Sequence, residues 1–205
     1  MNSDETTVTS TTRVVRPFKV IAIVLIAICI VVMILVLGNS TWITATGFYQ
    51  GLWQECYNGS RVIASTAAPA VVAATQSPSK IVCHPSPSSA WIAACQAMVI
   101  LALLLTIVSF VLAVVALCKG KLYANFYKLG GVLLFLAAVF MLVSLAVFPA
   151  MSIKEPVVIG RENWLLAWGY GLGWGAFLLQ VAAGILLLFA PDRQEIYYSE
   201  KTYYQ

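Results

Sequence analysis

The chain has 205 residues, of which 61% are hydrophobic and 10% charged, and its mean hydropathy is +0.90. A soluble domain carries about a quarter charged residues because its surface faces water, so lipid is the solvent for much of this chain and one compact bundle is expected. The net charge of +4 is not gathered into the basic, aromatic-interleaved stripe that nucleic acid requires, so no nucleic-acid partner is expected.

Residues 1–17, rich in Ser and Thr, read as a disordered cytoplasmic N-terminus. Arg13, Arg16 and Lys19 lead into the first apolar segment, residues 20–37. A rival reading makes this segment a cleaved signal peptide, with Gly38-Asn39-Ser40 as the small residues at the cleavage point, but the apolar stretch is longer than a usual signal core.

The loop 38–90 opens with β-branched and aromatic residues, Trp42-Ile43-Thr44 and Phe48-Tyr49, broken by Gly47 and Gly51. This pattern predicts short antiparallel strands joined by turns. Beyond Arg61 the composition shifts to Ala, Ser, Thr, Val and Pro and loses any period, which reads as an excursion ending near Pro78, Pro85 and Pro87. Cys56 and Cys83 are the two cysteines of this loop, and an oxidising exterior favours joining them; two free thiols are the alternative. Asn58-Gly59-Ser60 is an N-glycosylation sequon two residues past Cys56, and Asn39-Ser40-Thr41 is another, pressed against the membrane out of easy reach of the transferase.

Three more apolar segments follow: residues 91–117, 129–148 and 165–189. None of the four contains Asp, Glu, Lys, Arg or His. At a rise of 1.5 Å per residue, about 20 residues cross a hydrocarbon core of about 30 Å. Backbone in lipid must satisfy its own hydrogen bonds, which makes the segments helices. Pro149 and Pro191 are expected just past the ends of the third and fourth. Cys29 and Cys95 read as small apolar groups. Cys118, beside Lys119, is a candidate for S-palmitoylation, with a plain thiol as the alternative.

Charge placement orients the bundle. Lys119, Lys121 and Lys128 crowd the loop between the second and third segments, and Arg193 and Lys201 follow the fourth. The two remaining loops, 38–90 and 149–164, hold only Arg61 with Lys80, then Lys154 with Arg161. The richer side is cytoplasmic, which puts both termini inside, both of those loops outside, a membrane domain at 18–191 and a cytoplasmic tail at 192–205. Tyr197, Tyr198, Tyr203 and Tyr204 in that tail are candidates for phosphorylation, with a plain solvated tail as the other reading.

Trp42, then Gly51-Leu52-Trp53, then Cys56 and Cys83, set between the first two of four helices, resemble the claudin superfamily, which includes the peripheral myelin protein group. Trp168-Gly169-Tyr170-Gly171-Leu172-Gly173-Trp174-Gly175 looks like the branch named for brain cell membrane protein 1, an adherens-junction group. The resemblance implies a membrane all-α fold: a left-handed bundle of four transmembrane helices with a small extracellular antiparallel β-sheet. It also implies a place at cell–cell junctions of the plasma membrane. Trp42 and Trp53 are expected at the membrane–water level, seating the sheet. Gly51 would permit a bend. Gly169 with Gly173, and Gly171 with Gly175, form two small-xxx-small pairs that would let helices approach.

There are departures. Claudins space the two loop cysteines more closely than the stretch from Tyr57 to Val82 does here, and they carry an Arg where local alignment places Gln96. The C-terminal Gln205 fits a PDZ groove poorly.

Three functional classes compete. One is junctional adhesion and organisation of junction and cytoskeleton, with homo- or hetero-oligomeric partners among claudin-like proteins or the cadherin–catenin system. The second is a claudin-type paracellular barrier or pore, or an auxiliary subunit of an ion channel. The third, an enzyme or transporter, lacks intramembrane ionisable groups, and the single histidine, His84, sits beside Pro85 in the first loop. No catalytic residue, metal or cofactor is expected, and the sparse loop charges favour the first class over the second.

Overall fold

A computed structural model describes residues 17–45, 47–58, 81–86, 89–119, 124–152, 154 and 164–189. Four long helices, α1 (Pro17–Gly38), α2 (Ala90–Lys119), α3 (Ala124–Ser152) and α4 (Trp168–Phe189), are joined by five short strands: β1 (Ile43–Ala45), β2 (Phe48–Gln50), β3 (Gln54–Asn58), β4 (Ile81–Pro85) and β5 (Leu165–Leu166). All four helices are long and apolar enough to cross a membrane.

The helices form a ring in which α1 touches α2 and α4, and α3 touches α2 and α4. The buried positions of α2 are Ile92, Cys95, Val99, Ala102, Thr106, Ser109, Ala113 and Ala116, alternating in steps of three and four. An average period of 3.5 residues, shorter than the 3.6 of a straight helix, winds the seam into a left-handed supercoil. The seam side chains are mostly small, whereas Ile, Leu and Val crowd the outside: Ile21, Val24, Ile28, Val31 and Ile34 on α1 are all exposed. Lipid is as apolar as leucine, so close backbone packing, rather than escape from solvent, draws these helices together. Gly131 of α3 and Gly184 of α4 show it, since a Cβ on Gly131 would fall 2.6 Å from Leu188 Cγ and 3.3 Å from the Gly184 carbonyl.

The strands form one antiparallel sheet in the order β4-β3-β2-β1-β5 at one end of the bundle. Ala45 pairs with Phe48 across a two-residue turn whose Gly47 has φ 76°, the left-handed conformation that a tight hairpin needs. The strand β5 corrects the boundary expected for the fourth helix. Leu165 and Leu166 pair with Thr44 and Ile43, and Ala167 and Gly169 donate to the carbonyls of Trp42 and Thr41. The backbone is thus claimed by the sheet before the helix begins at Trp168.

Pro149 is a second correction. It lies inside α3, which runs on to Ser152. A proline there removes the N–H that would bond the carbonyl four residues earlier, and that carbonyl belongs to Leu145. The Tyr170 hydroxyl donates to it at 3.0 Å, so the helix continues with its backbone satisfied, as lipid demands.

One polar cluster crosses the bundle. The Gln180 amide on α4 donates to Thr106 Oγ1 on the diagonal helix α2 at 3.0 Å and to Met33 Sδ on α1 at 3.2 Å. Thr106 in turn donates to Ala102 O at 2.7 Å. Near the opposite end from the sheet, the buried Lys19 places Nζ 4.4 Å from the centroid of the Tyr127 ring, a cation–π contact. Of the residues used to orient the chain, Arg13, Arg16, Arg61, Lys80, Lys121, Arg161, Arg193 and Lys201 lie outside the described residues, as do Pro191, residues 1–16 and the tail 192–205, whereas Pro17, expected in the disordered terminus, begins α1.

Tyr170→Phe is expected to destabilise the protein by about 1–3 kcal/mol, the cost of orphaning a buried carbonyl, read as a lowered Tm in detergent micelles. Adding Pro149→Ala should restore most of that loss, because the substituted alanine brings a backbone N–H to the Leu145 carbonyl. Absence of recovery in the double variant would remove the proposed link.

Candidate functional site

The last four carbonyls of any helix have no partner within it, and α1 ends where its chain leaves the bundle. Two tryptophans supply donors to two of them. Trp42 Nε1 donates to Val36 O at 3.3 Å, and Trp53 Nε1 donates to Leu37 O at 2.8 Å. Trp53 keeps its ring exposed, whereas Trp42 is wholly buried. Trp42 is the plug between sheet and bundle, buried where it was expected to seat the sheet, and Trp53 lies at its rim. The Trp42 ring lies 4.9 Å from that of Phe148 and 6.3 Å from that of Tyr170, and Phe148 also meets Trp91 at 5.7 Å. Phe148 of α3 and Tyr170 of α4 thus meet the plug directly and Trp91 of α2 reaches it through Phe148, which ties these helices to the segment leaving α1.

Glycines let the backbone cross this knot. A Cβ on Gly51 would sit 2.6 Å from Ser40 Cα and 2.7 Å from Asn39 O, and one on Gly169 would sit 2.5 Å from Thr41 O. Backbone on both sides cannot yield, so neither position admits a side chain without a shift of the main chain. Asn39 fills the remaining corner: its Oδ1 accepts from Thr41 N at 2.7 Å and Thr41 Oγ1 at 2.6 Å. Its Nδ2 would lie 2.7 Å from a Cβ on Gly169. A glycan on this sequon asparagine has no room in the folded chain.

Leu52 is fully buried, and its carbonyl accepts from Gln96 Nε2 on α2 at 2.6 Å. The position flagged as a departure, Gln96 in place of a basic residue, thus still donates a hydrogen bond to the Gly-Leu-Trp turn. Cys56 and Cys83 stand directly opposite each other in the β3–β4 register and are joined by a disulfide. With a sequence separation of 27 residues, the bridge closes a loop whose chain-entropy stabilisation is about 3–4 kcal/mol. Asn58 ends β3, but Gly59 and Ser60 of its sequon lie outside the described residues. Cys118 is exposed near the end of α2 away from the sheet, and Cys29 and Cys95 are buried in the bundle.

The glycine pairs of α4 divide. Gly169 and Gly173 are packed, Gly173 against Leu145 and Met141 of α3. A Cβ on Gly171 or Gly175 would meet nothing within 4 Å among the described residues, so this second pair brings no described helix of the chain close. Close approaches that sequence reading missed occur at Gly130, Gly131 and Gly184; Gly130 with Gly131, and the Ala182-Ala183-Gly184 run, were the available signal. Among the described residues no group of three His, Cys, Asp or Glu could hold a metal.

A four-helix membrane bundle, carrying at one end a disulfide-tied antiparallel sheet seated on two capping indoles, defines a class of membrane proteins, and the sequence comparisons say which. Residues 17–187 match the PMP-22/EMP/MP20/Claudin family, and the chain belongs to it. It is 32% identical over 116 residues to the zebrafish "p53 apoptosis effector related to PMP-22", covering 56% of this chain and 60% of that protein, short of two thirds of its length. It is 24% identical over 151 residues to the rat and mouse "Lens fiber membrane intrinsic protein", covering 72% of this chain and 73% of each relative.

Two sets of variants test this geometry. Gly51→Ala and Gly169→Ala are expected to abolish or sharply reduce folded yield, whereas Gly171→Ala and Gly175→Ala should be neutral or stabilising by up to about 1 kcal/mol, the helix preference of Ala over Gly. Gln96→Leu should cost about 1 kcal/mol by leaving the Leu52 carbonyl without its donor, and Gln96→Arg should retain most of the stability. Thermal melts of the purified protein with the disulfide intact read both.

Proposed function

We propose that this protein acts in cell–cell adhesion and in organising the junction and its cytoskeleton, with the sheet outside the cell and both termini inside. The carrying observation is the rigid seat of the sheet. Four of its five strands come from one loop, are pinned by Trp42, Leu52 and the Cys56–Cys83 bridge, and present a preorganised face, which lowers the entropic cost of engaging a neighbour. The charge pattern favours adhesion over an ion-selective pore. Among the residues of the five strands, Glu55 is the single Asp, Glu, Lys or Arg, and it stands opposite His84 in register. A selective pore needs rings of like charge at close range. The glycine-rich start of α4 supports the adherens-junction branch within the family, with cadherin–catenin components or claudin-like chains as partners.

Epithelial monolayers lacking the protein are expected to fragment under shear several-fold more than controls, with their cation-to-anion permeability ratio unchanged, and the protein is expected to stain with cadherin along lateral membranes. A changed permeability ratio with normal cohesion would replace this reading by the paracellular or channel-associated one.

A further inference from the structure

The sheet carries one edge of unusual chemistry. Among the described residues strand β5 is an edge strand, and edge strands in contact with water are usually protected by charge, proline or a bulge. Here the edge consists of two leucines, with Leu165 70% and Leu166 46% exposed, and Trp168 two residues on is 65% exposed. Apolar side chains gathered this way are costly in water and mark a contact surface.

Height along α4 shows what covers them. From Trp168 to Phe189 the helix has 22 residues, a rise of about 30 Å, the thickness of the hydrocarbon core. The outward face is apolar throughout, with Leu178 60%, Ile185 45% and Phe189 76% exposed. Trp168 therefore stands at the boundary of the leaflet nearest the sheet, and β5 lies just above it. Trp53 marks the same level on α1, since its Nε1 is bound to the carbonyl of Leu37, one residue before that helix ends, while the residue is 46% exposed. Backbone at this depth has water and headgroups within reach of β5, and the side chains have acyl chains below them; indole rings favour the same zone. A second protein is a poorer occupant, because two leucines and a tryptophan cover only a fraction of the roughly 800 Å² that each partner brings to a stable interface.

We infer that Leu165, Leu166 and Trp168 form a lipid-contact patch that, together with Trp53, rests the sheet on the headgroup–acyl boundary of the nearest leaflet and fixes its height and tilt. The sheet is then held at two levels of organisation: by the capped end of α1 within the chain, and by the bilayer surface at its β5 edge. This inference is independent of the adhesive role, because it concerns the edge of the sheet and not what its face engages.

The test uses the full chain in single-copy nanodiscs of phosphatidylcholine, in a Cys118→Ser background, with a nitroxide attached at Leu166→Cys. Leu178→Cys provides a lipid-core reference and Lys154→Cys a water reference. Power saturation with oxygen and with a water-soluble nickel chelate is expected to place the Leu166 label between the two references, with oxygen the stronger relaxant. Nickel accessibility equal to that of the Lys154 label would overturn the inference, as would exclusion of both reagents, which signals cover by protein. Should the added cysteine disturb the Cys56–Cys83 bridge, brominated lipids supply a second reading. The fluorescence difference between wild type and Trp168→Phe should be quenched about twofold more by bromines placed high on the acyl chain than by bromines near its end. Equal or absent quenching would again overturn it.

Discussion

A transmembrane helix that stops must hide the carbonyls of its last turn, and at the end of α1 that requirement is met by two indoles reaching back from the strands that follow. The bond from Trp42 to Val36 and the bond from Trp53 to Leu37 fix where the chain turns, and the rest of the sheet end is built around that turn. Burying Trp42 beneath the sheet brings the Asn39–Thr41 backbone against both the exit from β2 and the entry to α4. Those crossings leave space only for glycine, at Gly51 and Gly169. Gln96 and the Cys56–Cys83 bridge then secure the outer strands. The family motif is, in this light, a helix-capping device with the backbone clearances it needs.

The same constraint governs the bundle interior. Pro149 would leave the Leu145 carbonyl bare in a medium that offers no water, and the Tyr170 hydroxyl meets it from the neighbouring helix. The Gln180 amide spends both its hydrogens across the bundle, while its Oε1 has no partner among the described residues. Side-chain hydrogen bonds within membranes are worth about 0.6 kcal/mol on average, so this cluster does little for net stability. Its consequence is geometric: it links α1, α2 and α4 at one depth, which resists sliding of the diagonal pair.

Membership of the PMP-22/EMP/MP20/Claudin family is a statement about this scaffold, and members differ in what they mount on it. Here the described strands carry a single charged residue, Glu55, and the sheet is pinned by Trp42, Leu52 and the Cys56–Cys83 bridge. The outward glycines Gly171 and Gly175 leave a shallow notch on α4 that none of the described residues fills. They show that a small-xxx-small pattern marks potential for close approach and not its direction.

Composition and charge-free runs made the four crossings legible from sequence, because a segment of about 20 apolar residues has few other fates. The β-branched and aromatic residues of the first loop, broken by Gly47 and Gly51, likewise announced strands, and the motif residues Trp42, Gly51, Leu52, Trp53, Cys56 and Cys83 were all visible as a set. What sequence could not carry was every feature whose energy depends on a distant partner. Leu165 and Leu166 read as helix because they are apolar and precede a helix, and only β1, more than a hundred residues earlier in the chain, makes them a strand. Pro149 read as a terminus because the hydroxyl that lets the helix continue belongs to Tyr170. Trp42 and Trp53 looked alike, yet one is the core of the sheet seat and the other its rim. Local pattern determined which segments enter the membrane; the tertiary structure alone decided which backbone groups needed a partner and who supplied it, since a hydrogen bond's worth in lipid is set by what would otherwise be left unpaired.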